Sequence, residues 1–451
     1  MAVKTDNILR SVLTGSFISV ITIILMFFLL EVLVRVIIPW KNDVLHQCHP
    51  LYGITGIPNV TGNFYGMVPE SLSVPKVVVH MNSKGLRDRE YEYEKLDSFR
   101  ILILGDSMIA ALQVPLEQTA QEVAERFLNS KSMANKNIEI IAGAQPGWGT
   151  DDEYLFYLEE GYKYQPDLVL LAFHAENDVR NNSHDLQIAL NDHADNPYFV
   201  LGDDNTLILK DFPFPCDNSS GKTDGKPHQL QTRETIKMLP SVKKWVNEHS
   251  CLYRFVKGRI PQMLSQNIVN ILKAKGVLSL QRNDDVSRRQ FEIAHGIFFT
   301  KLPSSLQTAW SLTEKLILAL RNEVVRKGSK FAVIKMPSQF EVVDLEWQRV
   351  QKEASRFGIT DIDRNKPSEM VTNLCTQYDI PVLDTFPEFL SQATKDKDPL
   401  YFKGDGHLTK SGNYLLANLL VSWLKENNLL METREETLLP FTLIDASSKR
   451  E

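Results

Sequence analysis

ILILGDS, residues 101–107, begins as a short strand without a polar residue and ends in a glycine, an aspartate and a serine. Further apolar runs of strand length follow it along the chain, namely IEIIAG (138–143), DLVLLAF (167–173), FAVIKMP (331–337) and IPVLDT (380–385). Stretches of helical character separate them, and Thr150 and Glu153 form a predicted capping box at the start of one helix. Because continuous apolar strands that alternate with helices are typical of a parallel sheet covered on both faces, we expect an α/β fold.

The N-terminal 40 residues contain a long apolar run. Residues 12–30 (VLTGSFISVITIILMFFLL) carry no charge, and at about 1.5 Å per residue they span about 28 Å, close to the hydrocarbon thickness of a bilayer. A cleaved signal peptide has a shorter apolar run and a small-residue exit, and a core helix rarely stays uncharged for this length. We therefore predict one uncleaved transmembrane anchor. Lys4 and Arg10 slightly favour a cytoplasmic N-terminus, which would place the following domain in the periplasm or outside the cell.

The alternation of strands and helices is interrupted between residues 180 and 305. This interval contains a predicted hairpin at residues 198–212 and a mostly helical stretch at about residues 235–280. Since it separates two halves of one sheet, we interpret it as an inserted cap over the strand ends. The predicted organisation is an anchor at 1–40, an irregular juxtamembrane segment at 41–98, an α/β domain at 99–428 that includes the cap at 180–305, and a charged tail at 429–451.

Composition and charge exclude several classes of protein. The chain of 451 residues has a formal net charge of −6, without the basic excess that phosphate binding requires, so we predict no nucleic-acid partner. Cys48, Cys216, Cys251 and Cys375 lack zinc-ligand spacing, and we predict no metal and no cofactor. If the region beyond the apolar run lies outside the cytoplasm, one or two disulfides can form; the alternative is four free, mostly buried thiols.

Reactive residues follow the predicted strands. Ser107 ends the first strand, Gly147 and Asn177 follow the next two, and Asp405 and His407 precede the last helix. Because the carboxyl ends of parallel strands share one edge of a sheet, we expect these residues to lie together. Ser107 can then act as a nucleophile, with His407 as its base and Asp405 as the acid that orients the imidazole. The amides of Ser107 and Gly147 and the side chain of Asn177 are predicted to form an oxyanion hole.

These motifs resemble those of the SGNH/GDSL hydrolase family. The matching residues are Ser107 in ILILGDS, Gly147 in QPGWGTD, Asn177 in AEND and His407 in DGHLTKSG. The likeness covers about residues 100–190 and 305–425, and NSKGLRD (82–88) looks like the lead-in of membrane-anchored bacterial members. The resemblance implies a flavodoxin-like three-layer α/β/α sandwich with a parallel sheet, metal-free ester or acyl chemistry, and the site roles given above.

Two positions depart from the pattern of that family. The third block usually reads Gly-x-Asn-Asp, and here Ala175 replaces the glycine, which we expect to alter the local backbone without removing Asn177. The fourth block usually places its aspartate three residues before the histidine, where this chain has Gly404, and Asp405 lies two residues before it instead. That spacing is similar to the branch that acetylates exopolysaccharides such as alginate, so it leaves hydrolase and transferase both open.

Three functions are compatible with such a domain anchored at the cell envelope. The first is a serine esterase that removes acyl groups from an acylated envelope glycan or lipid. The second is an O-acyltransferase, such as an acetyltransferase, that modifies an exopolysaccharide. The third is a non-catalytic glycan-binding or scaffold protein, against which the complete set of serine, glycine, asparagine, aspartate and histidine argues. We expect the cap to select the substrate, and the sequence carries no signal for the oligomeric state.

Several residues near these motifs allow a structural and a functional interpretation. We expect Arg87 and Asp88 to form a structural ion pair and not to line the site. Trp148 can either stack on a sugar or pack within the core. Asp106 is expected to make hydrogen bonds within its loop without a direct chemical role, and His174 to be a packed residue at a strand end.

Overall fold

A computed structural model describes residues 2–37, 42–67, 73–130, 137–190, 196–216, 250, 252–253, 284–395 and 398–430. Its strands are β1 (His46–His49), β2 (Gly53–Gly56), β3 (Thr61–Phe64), β4 (Val77–His80), β5 (Ser98–Gly105), β6 (Asn137–Ala144), β7 (Leu168–Phe173), β8 (Tyr198–Leu201), β9 (Leu207–Lys210), β10 (Lys330–Lys335) and β11 (Val382–Asp384). Its α-helices are α1 (Ala2–Ile37), α2 (Ser107–Ala110), α3 (Ala120–Ser130), α4 (Thr150–Glu159), α5 (Ala175–Asn181), α6 (His184–Leu190), α7 (Asp284–His295), α8 (Ser304–Arg326), α9 (Gln339–Val342), α10 (Asp344–Arg356), α11 (Lys366–Gln377), α12 (Phe386–Lys395) and α13 (Lys410–Glu426).

The central element is a five-stranded sheet with the strand order β11-β10-β7-β5-β6, in which every pair is parallel. Numbered along the chain from the β6 edge, this is the order 2-1-3-4-5 of flavodoxin-like folds, and it confirms the predicted fold. The register places Gly105, at the end of β5, opposite Ala144 of β6 and Ala172 of β7. The carboxyl ends of these three strands therefore meet at one edge, where the chain order reverses direction.

Helices cover both faces of the sheet and give the three predicted layers. Leu102 and Leu104 of β5 face a core that also contains side chains of α4, α8 and α11. Ile101 and Ile103, which alternate with them, face a second core with α3 and α13. All four side chains are at most 1% exposed, so each contributes about 1.5–3 kcal/mol by burial. A charge at any of these positions would disrupt one layer, which explains why the strand is continuously apolar.

Helix α1 is long and apolar enough to cross a membrane. Its window Phe17–Val34 has a mean hydropathy of 2.8, and only 6% of it is buried. This is the one such helix among the described residues, and its length and composition fit a membrane span or a signal sequence. The uncleaved anchor therefore stays a prediction.

Residues 42–98 contain two short antiparallel hairpins, β1 with β2 and β3 with β4, within the segment predicted to be irregular. The predicted ion pair of Arg87 and Asp88 was wrong, because the two buried side chains bind different parts of the backbone. The Arg87 guanidinium donates to the carbonyls of Ala110, Ala111 and Val114, at the end of α2 and just after it. The Asp88 carboxylate accepts from the Ala142 amide at 2.7 Å, and burial raises the pKa of Asp88 to about 8. Both residues fasten this segment to the α/β domain.

The described part of the insertion contains α6, the hairpin of β8 and β9, and α7. The hairpin pairs Tyr198 with Lys210 and confirms the one predicted at residues 198–212. The helical stretch predicted at about residues 235–280 lies outside the described residues, apart from residues 250 and 252–253. Most of the tail predicted at 429–451 also lies outside them.

A disulfide joins the insertion to the first hairpin. Cys48 of β1 is bonded to Cys216, with their Cα atoms 5.7 Å apart. The alternative of four free thiols was therefore wrong. Cys375 is a free, buried thiol, and Cys251 lies outside the described residues.

The start of α4 lies one position away from the predicted capping box. Gly149 is the N-cap, and Asp152, not Glu153, accepts the Gly149 amide at 3.3 Å. Thr150 is the first helical residue, and its hydroxyl makes no hydrogen bond within the described part of the chain. Glu153 points away from the helix start into the protein, where it is fully buried.

Candidate active site

Ser107 stands on a tight turn between β5 and α2. Asp106 caps this helix by accepting the Met108 amide at 2.8 Å. Gly105 is required for the close approach, because a Cβ atom there would lie 2.7 Å from Cγ1 of Ile109. Ser107 is partly exposed, unlike its buried neighbours on either side. The turn therefore presents the hydroxyl beyond the carboxyl end of the sheet.

His407 lies in a compact loop immediately before α13. Gly404 and Gly406 have φ angles of +77° and +86°, a conformation that favours glycine. The Phe402 amide donates to the His407 carbonyl at 2.8 Å, which closes the loop. Thr409 then caps α13 by accepting the amide of the residue three positions on, at 3.3 Å. The sequence GDGHLT therefore folds as a turn that holds the histidine at a helix start.

The hydroxyl, the imidazole and a carboxylate form one hydrogen-bonded line. Nε2 of His407 lies 2.8 Å from Oγ of Ser107, although the two residues are 300 positions apart. Nδ1 of His407 lies 2.7 Å from Oδ1 of Asp405. An imidazole with its proton on Nδ1 can donate to Asp405 and accept the proton of Ser107. The three side chains that sequence analysis grouped together are thus in direct contact.

The carboxylate of Asp405 is held at both oxygens. Its side chain is fully buried, and Oδ2 accepts the backbone amide of Met67 at 2.7 Å. Burial by itself would raise the pKa of Asp405. The hydrogen bond and charge of His407, with the Met67 amide, outweigh burial and hold that pKa below its usual value. Asp405 is therefore ionised and fixed in orientation.

The amides of Ser107 and Gly147 are free to bind an anion. Gly147 follows β6, whose end pairs with the end of β5, so its loop emerges beside the Ser107 turn. Its φ angle is +87°, and the Asn181 side chain donates to its carbonyl at 3.0 Å. Within the described part of the chain, neither amide donates a hydrogen bond. The first amide of a short helix and a glycine amide are ordinary oxyanion donors.

Asn177 is locked between a carboxylate and a guanidinium. Its Nδ2 donates to Oδ2 of Asp106 at 2.8 Å, and its Oδ1 accepts from Arg180 at 2.7 Å. Because Asp106 directly precedes Ser107, the first bond holds the amide against the Ser107 turn. The second bond fixes which amide atom is nitrogen, and one N–H of Asn177 has no acceptor among the described residues. Ala175 is the first helical residue of α5, and the change in local backbone geometry expected from the replaced glycine stays a prediction.

Asp106 and His174 form a hydrogen-bonded pair next to this asparagine. Nδ1 of His174 lies 3.3 Å from Oδ2 of Asp106, and both side chains are well buried. Burial by itself would lower the pKa of His174, but the hydrogen bond and charge of Asp106 outweigh it and raise that pKa. The pKa of Asp106 is correspondingly lowered. Asp106 thus bonds beyond its own loop, and His174 is packed as expected.

Trp148, next to Gly147, is a core residue. It is 1% exposed, and its indole donates to the carbonyl of Ile54 at 2.8 Å. Its ring packs against Tyr52 and Phe156. Of the two interpretations of Trp148, packing is therefore correct, and the ring is not available to stack on a sugar.

A group of buried acids surrounds Asp106 on its inner side. Burial and neighbouring negative charges raise the pKa values of Asp151, Glu153 and Asp178 well above their usual range. Burial raises the pKa of Asp152 to about 7. Neither carboxyl oxygen of Glu153 has a hydrogen-bond partner among the described residues. The raised pKa values of Glu153 and Asp178 favour the neutral forms of both side chains.

Two supporting groups were missed by sequence reasoning. Arg180 lies one helical turn after Asn177, so the i, i+3 spacing on α5 could have revealed it. The Met67 amide belongs to the backbone and leaves no trace in the sequence. Among the described residues, no group of three or more His, Cys, Asp and Glu side chains is arranged to hold a metal ion.

No protein-family model and no curated protein match the chain. Several solved structures resemble it. An acetyl xylan esterase, AlAXEase, has 13% identity and a TM-score of 0.35, covering 72% of this chain and 98% of its own. A lipase/acylhydrolase from Enterococcus faecalis has 13% identity and a TM-score of 0.32, covering 73% and 96%. The esterase EstA from Pseudoalteromonas sp. has 11% identity and a TM-score of 0.33, covering 73% and 98%.

These three structures share only 11–13% identity with the chain. The flavodoxin-like fold is seen in the strand order of the chain itself. The residues that carry the resemblance to the SGNH/GDSL hydrolases are Ser107, Gly147, Asn177 and His407. They lie together at the carboxyl edge of one flavodoxin-like parallel sheet.

Proposed function

We propose that the chain is a serine hydrolase of the SGNH/GDSL type that cleaves acyl esters, with Ser107 as nucleophile, His407 as general base and Asp405 as the orienting acid. One observation carries the proposal. His407 lies 2.8 Å from the Ser107 hydroxyl and 2.7 Å from Asp405, and an aspartate at Nδ1 favours the tautomer in which Nε2 can take the serine proton. An alcohol needs such a base, because it is a weak nucleophile at neutral pH.

In the first half of the proposed reaction, Oγ of Ser107 attacks the carbonyl carbon of the ester while its proton moves to Nε2 of His407. The negative charge collects on the carbonyl oxygen. When the intermediate collapses, the bond to the leaving alcohol breaks and His407 returns the proton to that alcohol. Water then repeats both steps on the acyl-enzyme and releases the acid. Asp405 stays ionised throughout and stabilises the imidazolium.

The proposed oxyanion hole consists of the amides of Ser107 and Gly147 and the free N–H of Asn177. These donors are fixed before the substrate arrives, so they need no reorganisation as the charge develops. Asp106 and Arg180 keep the asparagine amide in place from opposite ends. Loss of one such donor typically lowers kcat by about 10²–10³-fold.

We further propose that α1 anchors the chain in a membrane, with the N-terminus in the cytoplasm and the enzyme domain in the periplasm or outside the cell. The disulfide between Cys48 and Cys216 supports this orientation, because such bonds persist in oxidising compartments. The substrate is then an acylated glycan or lipid of the cell envelope.

The proposal is tested with a fluorophosphonate probe on the full-length protein. Wild type is expected to be labelled and to hydrolyse p-nitrophenyl acetate, whereas Ser107→Ala should do neither. Ser130→Ala serves as the matched control, since this exposed serine donates its hydroxyl to the Phe127 carbonyl of its own helix. Labelling of Ser107→Ala at the wild-type rate, or no labelling of any protein, would count against a serine hydrolase and favour a non-catalytic scaffold.

An O-acyltransferase is the second candidate, because Asp405 lies two residues before His407 and still reaches it. Both reactions share the acyl-enzyme and differ only in whether water or a glycan hydroxyl accepts the acyl group. An acyl donor is therefore supplied with and without a glycan acceptor. Transfer to the glycan that outpaces release of free acid would replace the esterase by the transferase.

A further inference from the structure

The second oxygen of Asp405 is bound by a part of the chain that lies far from it in the sequence. The Met67 amide donates to Oδ2 of Asp405 at 2.7 Å across a separation of 338 residues. Met67 follows β3, in the segment between α1 and the first strand of the sheet. A carboxylate with one hydrogen-bonded oxygen can still rotate about its Cβ–Cγ bond. Two bonds from different directions fix its plane and direct Oδ1 at the imidazole.

The loop that carries this amide is itself pinned. Asn42 accepts the Tyr65 amide at 2.7 Å and donates to the Gly66 carbonyl at 2.9 Å. These two hydrogen bonds hold the backbone of Tyr65 and Gly66, directly before Met67. Asn42 comes only a few residues after α1 ends, so the pin lies where the chain leaves the proposed membrane helix.

Gly66 shows how closely the loop approaches the acid. Its φ angle is +99°, and an added Cβ would lie 3.0 Å from Oδ2 of Asp405 and 2.9 Å from Cγ2 of Val74. Glycine is therefore required both by the backbone conformation and by the space. The loop therefore packs directly against the Asp405 carboxylate and supports it.

We propose that residues 42–67 of the juxtamembrane segment form part of the active site. The Met67 amide positions Asp405, and Asn42 holds the loop that carries this amide. This inference rests on the proposed function. The Met67 amide also contributes to the low pKa of Asp405, as expected for a donor that favours the charged carboxylate. A protein that begins after this segment would keep Ser107, His407 and Asp405 and still lack a group that makes them productive.

The test compares Met67→Pro with Met67→Ala in the full-length protein. Proline removes the donor N–H and also restricts the backbone at residues 66 and 67, whereas alanine keeps the N–H and shortens the side chain of a residue that is 55% exposed. For Met67→Pro we expect kcat to fall about 10- to 100-fold with KM within about twofold of wild type, since misplacing a catalytic group slows the chemistry and not binding. The rate of fluorophosphonate labelling should fall by the same factor. Met67→Ala should keep a kcat much closer to that of wild type than Met67→Pro does, because it retains the amide donor.

Because proline can also disturb folding, Asn42→Ala is tested as a second variant with a smaller expected effect on kcat. It keeps the Met67 amide and frees the loop, so a smaller fall in kcat at unchanged KM is expected in a protein that melts cooperatively. Wild-type kcat in folded Met67→Pro or Asn42→Ala would overturn the positioning role, while labelled wild type would leave the proposed function standing. If wild type itself is not labelled, the proposed function and this inference both fail.

Discussion

Replacement of Asp405 by asparagine should inactivate the protein through the tautomer of His407. The Met67 amide donates to one oxygen of the aspartate and Nδ1 of His407 lies at the other, each at 2.7 Å. Asparagine has the same shape but only one acceptor atom. Its NH₂ group must therefore face one of the two former donors.

The cost of each orientation decides which one is adopted. If the NH₂ group faces Met67, two donors face each other and the Met67 N–H loses its acceptor, at about 0.5–1.5 kcal/mol. If it faces His407, the imidazole can move its proton from Nδ1 to Nε2 and accept the new donor, so no group is left unpaired. The second arrangement is favoured, and a protonated Nε2 cannot take the proton of Ser107. A wrong tautomer of this kind lowers kcat by about 10⁴-fold, which is about 5.5 kcal/mol.

The assay is steady-state hydrolysis of p-nitrophenyl acetate by Asp405→Asn, Asp405→Ala and Met67→Pro/Asp405→Asn. Asp405→Ala removes the carboxylate without forcing the tautomer, so we expect it to be at least as active as Asp405→Asn. In the double variant the competing amide is gone. The asparagine oxygen is then free to turn to His407, and kcat should rise above that of Asp405→Asn alone.

Two results would refute this reasoning. Activity of Asp405→Asn within about tenfold of wild type would show that the carboxylate does not set the tautomer. A double variant no more active than Asp405→Asn would show that Met67 does not compete for the acceptor. Neither outcome bears on whether Ser107 is the nucleophile, which the labelling experiment decides separately.

Three further predictions concern the supports around the site. Glu153→Gln should stabilise the protein at pH 8 and not at pH 5. Because the pKa of Glu153 is raised in the folded protein, the wild type has its full stability below about pH 4.5 and loses up to about 1.4 kcal/mol for each pH unit above it. Equal Tm shifts at both pH values would contradict this. Arg180→Ala should lower kcat about tenfold at constant KM, because Asn177 loses the bond that fixes its amide; an unchanged kcat would exclude that role. Reducing the Cys48–Cys216 disulfide, which spans 168 residues, should cost up to about 5 kcal/mol and lower Tm, and identical melting with and without reductant would show that the bond does not constrain the fold.

The fold could be predicted from sequence because its strands are buried on both faces. Residues 101–105 have apolar side chains that alternate between two cores, so no polar residue is tolerated and the run is visible by inspection. Helix termini were predicted less well. The first turn of α4 is capped by Gly149 in place of Thr150, because Asp152 reaches the N-cap amide while Glu153 is drawn into the core.

The candidate residues could be grouped from the sequence because parallel strands deliver their carboxyl ends to one edge. The roles of their neighbours could not. Trp148 is packed because Tyr52 and Phe156 happen to enclose it. Arg87 and Asp88 are adjacent in sequence, yet each is buried against a different piece of backbone.

The sequence by itself determined the parallel sheet, the apolar N-terminal helix, the serine at a strand end and the aspartate and histidine before the last helix, because residue type and period encode burial and chain direction. Only the tertiary structure decided how the aspartate is held. The amide of Met67 is chemically the same as every other amide in the chain, and it reaches Asp405 only because two loops 338 residues apart fold against each other. Side-chain chemistry is written in the sequence, whereas the orientation of a backbone donor exists only once the chain has packed.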